Sequence, residues 1–478
     1  MHDYTKDFFN LVDDDITIDK VEMIDNVVHV YITKIISPHF CPVCGARMFS
    51  KGIYTRTLNH PILQDGREVT LHVAKRKWKC SSMFCGFMTS DSFKLFQAYK
   101  HSTNILPVLI LKEMKSLTVT AEDIAARLNV SPTTVHYTFL QYVDMKRLPL
   151  SEVISIDEVN LNFDYRHKYP MIILDFLTDQ PIDILPSRRE YDTSKYFHAI
   201  PSEERDNVKY LICDMYNPYI NYVKRYFPNA KAVVDCFHVA QWLSTKLNNY
   251  VNQVKRKYRE IDDQRLKDKN DRTNRDHRSI KKSDELYIID KFRWTLLKNK
   301  DDIDYDSPRS YDYFLKQYLD NFQREKLFFD LDKNFPAFRD LKELYVTFNK
   351  QAMTFPDKAP ELLDNLISKY NDSGVSLFVE FSSLLARFRD QIITSYTYVS
   401  VTDINGNKTV RRLSNALIES FNNYPKDLKR SSNGVSSFEY TRNRILWATR
   451  KDPSMLAIPR KIDDLIVPHP KRGSYSKK

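Results

Sequence analysis

The chain has 478 residues, of which 42% are hydrophobic, with a formal net charge of +11 and an isoelectric point near 9.0. That hydrophobic share excludes a disordered polymer, and the length predicts two to four domains. No uncharged apolar run reaches the roughly 20 residues of a bilayer-spanning helix, and the acid-bearing N-terminus MHDYTKDFFNLVDDD lacks the basic-then-apolar order of a signal peptide. A cytoplasmic protein with a polyanionic partner is therefore expected; charge alone admits nucleic acid or an anionic membrane, and nucleic acid is the reading adopted here.

Residues 1–98 open with a patch of β character, VVHVYITKI. Two cysteine pairs follow, Cys41-Pro-Val-Cys44 and Cys80-Ser-Ser-Met-Phe-Cys85, each with a glycine directly after it. Close pairs in a cytosolic setting predict metal ligation rather than disulfides, and two such knuckles complete a tetrahedral zinc site. The second pair has four intervening residues instead of two, and His60 and His72 compete as ligands. The other two cysteines, Cys213 and Cys236, lie in apolar runs and are expected to pack. A basic run, Lys75, Arg76, Lys77, Trp78 and Lys79, abuts the second pair and is a candidate DNA contact.

Residues 99–150 contain a predicted helix-turn-helix. In TAEDIAARLNV, Thr120 is the N-cap and Asp123 the residue that closes the cap reciprocally. Ile124, Ala125 and Leu128 share one face. Asn129-Val130 forms the turn, and Ser131 caps a second helix that has Pro132 at its first position. Val135 and Phe139 should face inward. Thr133, Thr134, His136 and Tyr137, early in that helix, are the candidate base-contacting residues. An ordinary helical hairpin would produce the same local pattern.

From residue 151 the texture changes. VISIDEVNL, MIILDFLTD and PIDILP predict three consecutive strands. A helical stretch, the strand YLICD, the helix NPYINYVKRYFP and a fifth strand, KAVVD, follow. This is the element order of an RNase H-like mixed sheet, in which the first and fourth strands are neighbours. That topology would set Asp157 beside Asp214. Residues 241–410 read as a helical insertion whose charged opening is a solvated face. A final helix beginning near Ser414 carries Glu419, with Lys426, Lys429, Arg430, Arg442, Arg444 and Arg450 downstream as a basic surface. A basic tail occupies residues 461–478. Three carboxylates gathered from three elements repel one another and suit hard divalent cations, which take oxygen ligands.

The run SNALIESFNNYPKDLKR, the IDE at Ile156–Glu158, the DMYNPYINYVKRYFPNAKAVVDCFHVAQ run from Asp214 and the N-terminal CPVCG together resemble the DDE transposases of bacterial insertion sequences, and most closely their ISL3 branch. The resemblance covers nearly the whole chain. It implies a multidomain α/β protein: an RNase H-like catalytic core (151–240 and 411–460) interrupted by the helical insertion and preceded by a zinc-binding domain and a helix-turn-helix. It implies Asp157, Asp214 and Glu419 as catalytic ligands of two Mg2+ or Mn2+ ions, with Asp235 and His238 in support. Asp235 also follows an apolar strand and rivals Asp214 for the second position. Glu158 and Asp175 are weaker rivals, and Glu158 should point away from Asp157 because strand side chains alternate. The chain departs from the family pattern at Ser420, where a glycine is usual, and at Pro425. The implied activity is cleavage of the element's terminal inverted repeats and joining to target DNA by a homodimer or higher assembly, nucleoid-associated in a bacterial cytoplasm. A DNA-binding regulator, including an inactive relative, and a structure-specific nuclease are the alternatives.

Overall fold

The computed structural model describes residues 9, 11–60, 67–96, 101–164, 167–273, 275, 281–403, 405–435, 437–462 and 465. The predicted tail at 470–478 and part of the charged opening of the insertion, at 274 and 276–280, lie outside them. The chain forms two units: residues 1–147, 160–169 and 423–478, and residues 148–159 and 170–422.

In the first unit, five strands make one sheet: β1 (Ile16–Ile24), β2 (Val27–Lys34), β3 (Met48–His60), β4 (Glu68–Cys80) and β5 (Met88–Ser90). The order is β1-β2-β4-β3, with β5 on β4, and β2 runs parallel to β4. The β-like VVHVYITKI patch thus becomes an internal strand. Its alternate residues Val28, Val30 and Ile32 are buried with Leu58, Leu71 and Val73. The β1–β2 turn uses Asp25 and Asn26, both at positive φ (50° and 64°), which matches the turn twist to the strands.

Helices Ile105–Glu113, Ala121–Leu128 and Pro132–Tyr142 follow. Thr120 Oγ1 accepts the Asp123 N–H at 3.1 Å, and the Asp123 carboxylate accepts the Thr120 N–H at 3.0 Å. Asn129 adopts the left-handed conformation that ends the first helix of the pair, and Ser131 Oγ accepts the Thr134 N–H at 3.1 Å. Ile124, Ala125, Val135 and Phe139 are buried, whereas Leu128 is only half-buried.

The C-terminal helix Phe438–Thr449 joins this bundle. Trp447 Nε1 donates to the Leu111 carbonyl at 2.9 Å, and His136 stacks on Tyr440 at 4.5 Å. Its arginines correct an expectation. Arg444 and Arg450 are buried, and Arg442 is half-buried. They donate to the carbonyls of Ser116, Lys146 and Met145 respectively. They are interior ties of the bundle rather than a basic surface, because the helix turns that face inward and the five-donor guanidinium satisfies otherwise orphaned carbonyls.

The second unit is built on β6 (Val153–Glu158), β7 (Met171–Asp175), β8 (Gln180–Leu185), β9 (Tyr210–Cys213) and β10 (Lys231–Val234), in the order β10-β9-β6-β7-β8. β6, β7 and β8 are antiparallel neighbours; β9 is parallel to β6, and β10 to β9. The expected adjacency of the first and fourth strands is present. Both faces are covered. Ile154, Ile156, Leu211 and Cys213 pack with Phe197, Tyr219, Tyr222 and Tyr226, while Val153, Ile212 and Val233 pack with Val401 and Leu413.

A 38-residue helix, Cys236–Thr273, leads out of β10. It shares an aromatic-rich core with the helices between residues 284 and 394. The stretch read as helical also holds two hairpins, Ser310–Asp312 with Gln317–Leu319 and Tyr398–Thr402 with Lys408–Arg412. The second hairpin covers the sheet through Val401, and the Thr402 N–H donates to the Leu177 carbonyl. The helix expected to run on from Ser414 is broken: Ala416–Phe421 ends at Asn422, and Asn423–Ser431 starts anew. Pro425, which lacks an N–H, falls in the first turn of the new helix, where none is needed.

His60 gives the first unit a pH-dependent stability. It is 5% exposed, with Nε2 2.7 Å from the Phe9 carbonyl and Nδ1 3.0 Å from Thr103 Oγ1. Burial pushes its pKa down to about 4, against the opposing pull of the Phe9 carbonyl. The folded state therefore holds a neutral ring while the unfolded chain takes up a proton below about 6.5. The contribution is complete above pH ~6.5 and is lost as pH falls toward 4, reaching about 3 kcal/mol at most. Denaturant titrations between pH 4 and 7 should show this slope, and His60→Gln should flatten it.

Candidate functional site

Parallel pairing brings three aspartates to one level. Ser155 of β6 is in register with Ile212 of β9, and Cys213 of β9 with Val234 of β10. Carried past the strand ends, this register sets Asp157 level with Asp214, and Asp214 level with Asp235. By alternation all three share the face of Val153, Ile212 and Val233. Leu413 and Leu417 pack on that face and deliver the short helix Ala416–Phe421, which carries Glu419.

Each acid is then held by specific donors. Asp157, 8% exposed, accepts the Glu158 N–H on Oδ1 at 2.7 Å and Asn422 Nδ2 on Oδ2 at 2.6 Å. Burial, with the Asp214 charge beside it, pushes its pKa up to about 7. Asp214 Oδ1 meets both Asn415 Nδ2 and His238 Nε2 at 2.7 Å. Glu419 Oε1 lies 3.3 Å from the same His238 nitrogen. Burial raises the Glu419 carboxyl; Asp235 and Asp214 add to this and His238 opposes it. Burial lowers the basicity of His238, but the Asp214 hydrogen bond and the three surrounding carboxylate charges outweigh it, so its pKa is raised overall.

The rival acids are placed differently. Asp235 is 3% exposed, with Oδ2 accepting the Asn415 N–H at 3.0 Å and Oδ1 facing Arg412 Nη2 at 3.3 Å. Both of its oxygens serve the protein. Glu158 lies on the opposite face, paired with Arg188 and accepting the Tyr219 hydroxyl. Asp175 pairs in register with Ile154, toward the far end of β6, and caps its own turn through Leu177 and Thr178.

Three buried oxygens in this cluster lack any hydrogen-bond donor: Asn415 Oδ1, Glu419 Oε1 and Asn422 Oδ1. Unpaired buried acceptors beside carboxylates are the chemistry of a hard-cation site. The acids do not crowd around a single point. Among the described residues, only the cysteines bring three or more ligand atoms within 4.8 Å of one another. Asn415 and Asn422, which orient Asp214 and Asp157, went unassigned in the sequence reading although both stand in the SNALIESFNN run. Arg412 carried no sequence signal.

The thiols of Cys41, Cys44, Cys80 and Cys85 form the second candidate centre. Cys41 and Cys85 sulfurs are 3.6 Å apart, and those of Cys44 and Cys80 are 3.4 Å apart. Four sulfurs at tetrahedral metal–sulfur distances would be about 3.8 Å from one another, so the set fits a metal ion. Gly45 and Gly86 turn each knuckle at positive φ (72° and 49°), where a side chain is strained. His60 and His72 are not ligands here: His60 is buried elsewhere, as above, and His72 stacks on Tyr31 at 4.5 Å. Cys213 and Cys236 are buried, as expected.

Of the candidate DNA contacts, Thr133, Thr134 and His136 are exposed and Tyr137 is half-buried. Thr133, Thr134 and Tyr137 also line a cavity of about 340 Å3 with residues 101–107. The basic run of β4 divides between faces. Lys75 and Lys77 share one, with Lys77 over Tyr54, while Arg76 lies on the other, over Trp78. Lys426 and Arg430 are exposed, and Lys429 Nζ reaches the Asn160 carbonyl at 3.3 Å. No helix among the described residues is long and apolar enough to cross a membrane.

Comparison with known proteins bears on this arrangement. The model of the ISL3 family, described as transposase, matches residues 154–445, a span that includes Asp157, Asp214 and Glu419. The chain is also 24% identical over 286 residues to the transposase for insertion sequence element IS1001 of Bordetella parapertussis. That alignment spans 58% of this chain and 62% of the relative. With more than half its length matched by the family model, the chain belongs to the ISL3 family of transposases.

Proposed function

We propose that the protein is a DNA transposase that binds the terminal inverted repeats of an insertion sequence and catalyses metal-dependent strand cleavage and strand transfer. The observation that carries this reading is the convergence of Asp157, Asp214 and Glu419, from three separate elements, around His238 and beside unpaired amide oxygens. The strand order, with β9 and β10 parallel to β6, supports an RNase H-like core. Asp157, Asp214 and Glu419 would hold Mg2+ or Mn2+, which supplies Lewis acidity and lowers the pKa of an attacking water. The wide spacing of the acids suits a pair of ions better than one.

The protein's own residues do the positioning. Asn422 fixes one oxygen of Asp157 and Asn415 one oxygen of Asp214. The Asp235–Arg412 pair holds the Asn415 backbone. This favours Asp214 as the second catalytic acid and Asp235 as a positioning residue. His238 offsets the charge of Asp214 and Glu419 and keeps both near their working positions. The same site serves cleavage and joining, because only the nucleophile changes, from water to a DNA 3′-hydroxyl.

In the first unit, a Zn2+ ion on the four cysteines would tie β3 and β4 to their knuckles. Thr133, Thr134, His136 and Tyr137 would read bases, while Lys75, Arg76, Lys77, Lys426, Lys429 and Arg430 hold phosphates. Double-stranded DNA is the partner, bound by a homodimer or higher assembly in the bacterial cytoplasm.

Two outcomes are expected. On duplexes carrying the element's ends, with Mg2+, Asp157→Ala and Glu419→Ala should each lower cleavage on the order of a thousandfold and leave duplex affinity nearly unchanged. Binding without nicking by the unsubstituted protein would indicate a regulator, and nicking without strand transfer a nuclease. Purified protein should contain one zinc per chain, released by chelator or by Cys44→Ser. Loss of the ion should melt the first unit, since structural zinc contributes about 10 kcal/mol or more in small domains. Protein that folds fully with no zinc would remove this role for the cysteines.

A further inference from the structure

A cavity of about 500 Å3 opens beside the carboxylates, with Asp214 and His238 in its wall. Tyr216 and Trp242 give it aromatic surfaces, and Arg188, Gln241 and Thr245 give it polar edges. Both rings are braced from behind. Trp242 is parallel to Phe381 at 5.5 Å, and Tyr219 meets Tyr216 edge-on at 5.1 Å. Tyr216 nevertheless keeps 43% of its surface exposed, directly after the turn that follows Asp214. An aromatic residue that is rigidly backed and left open is a platform without a partner.

The charges decide what fits. The two cations on the cavity wall are already compensated: Arg188 pairs with Glu158, and Lys246 with Glu380. A phosphate placed here would gain little from them and would face Asp214. A flat, neutral ring with donors and acceptors on its rim suits the aromatic walls and the mixed polar edges. The volume falls within the usual range of small-ligand sites, roughly 300–1,000 Å3.

The geometry points to a pocket for one unstacked nucleobase of the DNA strand whose phosphodiester lies at Asp157, Asp214 and Glu419, with Tyr216 as its stacking surface. This rests on the transposase reading of the same site. Extracting one base would fix the position of the scissile phosphate against the acids, and it would favour DNA ends whose terminal pairs open easily.

The test is single-turnover cleavage by the full chain with Mg2+. The duplexes carry the element's end, with each nucleotide flanking the scissile phosphate replaced in turn by an abasic site. On intact duplex, Tyr216→Ala and Tyr216→Leu should cleave about tenfold more slowly than the unsubstituted protein, and Tyr216→Phe at nearly its rate. At one position, the abasic substitution should erase the difference between Tyr216→Ala and the unsubstituted protein. Unchanged rates for the Ala and Leu variants, or the same loss on every duplex, overturn the pocket while leaving the transposase reading standing. No cleavage of any duplex by the unsubstituted protein overturns that reading, and the pocket with it.

Discussion

The site depends on the register of three parallel strands. Each of β6, β9 and β10 ends in an aspartate, and pairing without offset places those aspartates side by side. Side chains alternate with a period of two, so a slip of one residue in β9 would send Asp214 to the face of Tyr219 and bring Cys213 to the acid face. The buried apolar residues forbid the slip. Leu211 and Cys213 fit one packed layer, and Ile212 fits the other. Hydrophobic packing on both faces therefore fixes the geometry of a polar site at the sheet's edge.

Gathering carboxylates in a half-buried cleft is electrostatically unfavourable, and the surrounding residues show how this is offset. Asp157 is pushed toward a neutral-range pKa by burial and by Asp214. Asp235 is compensated by Arg412, and Asp214 and Glu419 share His238. Asparagine amides satisfy one oxygen each of Asp157 and Asp214 without adding charge, and their own carbonyl oxygens remain unpaired. A site with surplus acceptors and too few donors is strained in polar terms, and bound cations relieve that strain.

The first unit follows a different logic. Its sheet is small, so local devices do much of the specifying: a two-residue turn at positive φ, a reciprocal helix cap, and glycine-turned thiol knuckles. Its arginines illustrate how composition misleads. Arg444 is 2% exposed, and burial pushes its pKa down to about 10; it serves a backbone carbonyl rather than a polyanion. A net charge of +11 therefore overstates the cationic surface, because part of it is spent inside.

By itself, the sequence determined what is decided within a few residues. The spacing of the thiols, the Thr120–Asp123 cap, the apolar runs that end in acids, and the turn of Glu158 away from Asp157 were all legible, because caps, turns and strand alternation are local. The tertiary structure alone decided which acids meet and what holds them. Asn415 reaches Asp214 across 201 residues, and Asn422 reaches Asp157 across 265. It also freed Asp214 while tying up Asp235, two residues that look alike at the ends of neighbouring strands. It broke the final helix at Asn422 and turned three arginines inward. None of these outcomes has a periodicity to read, because each depends on which distant backbone happens to pack against the residue, and only the folded chain supplies that neighbour.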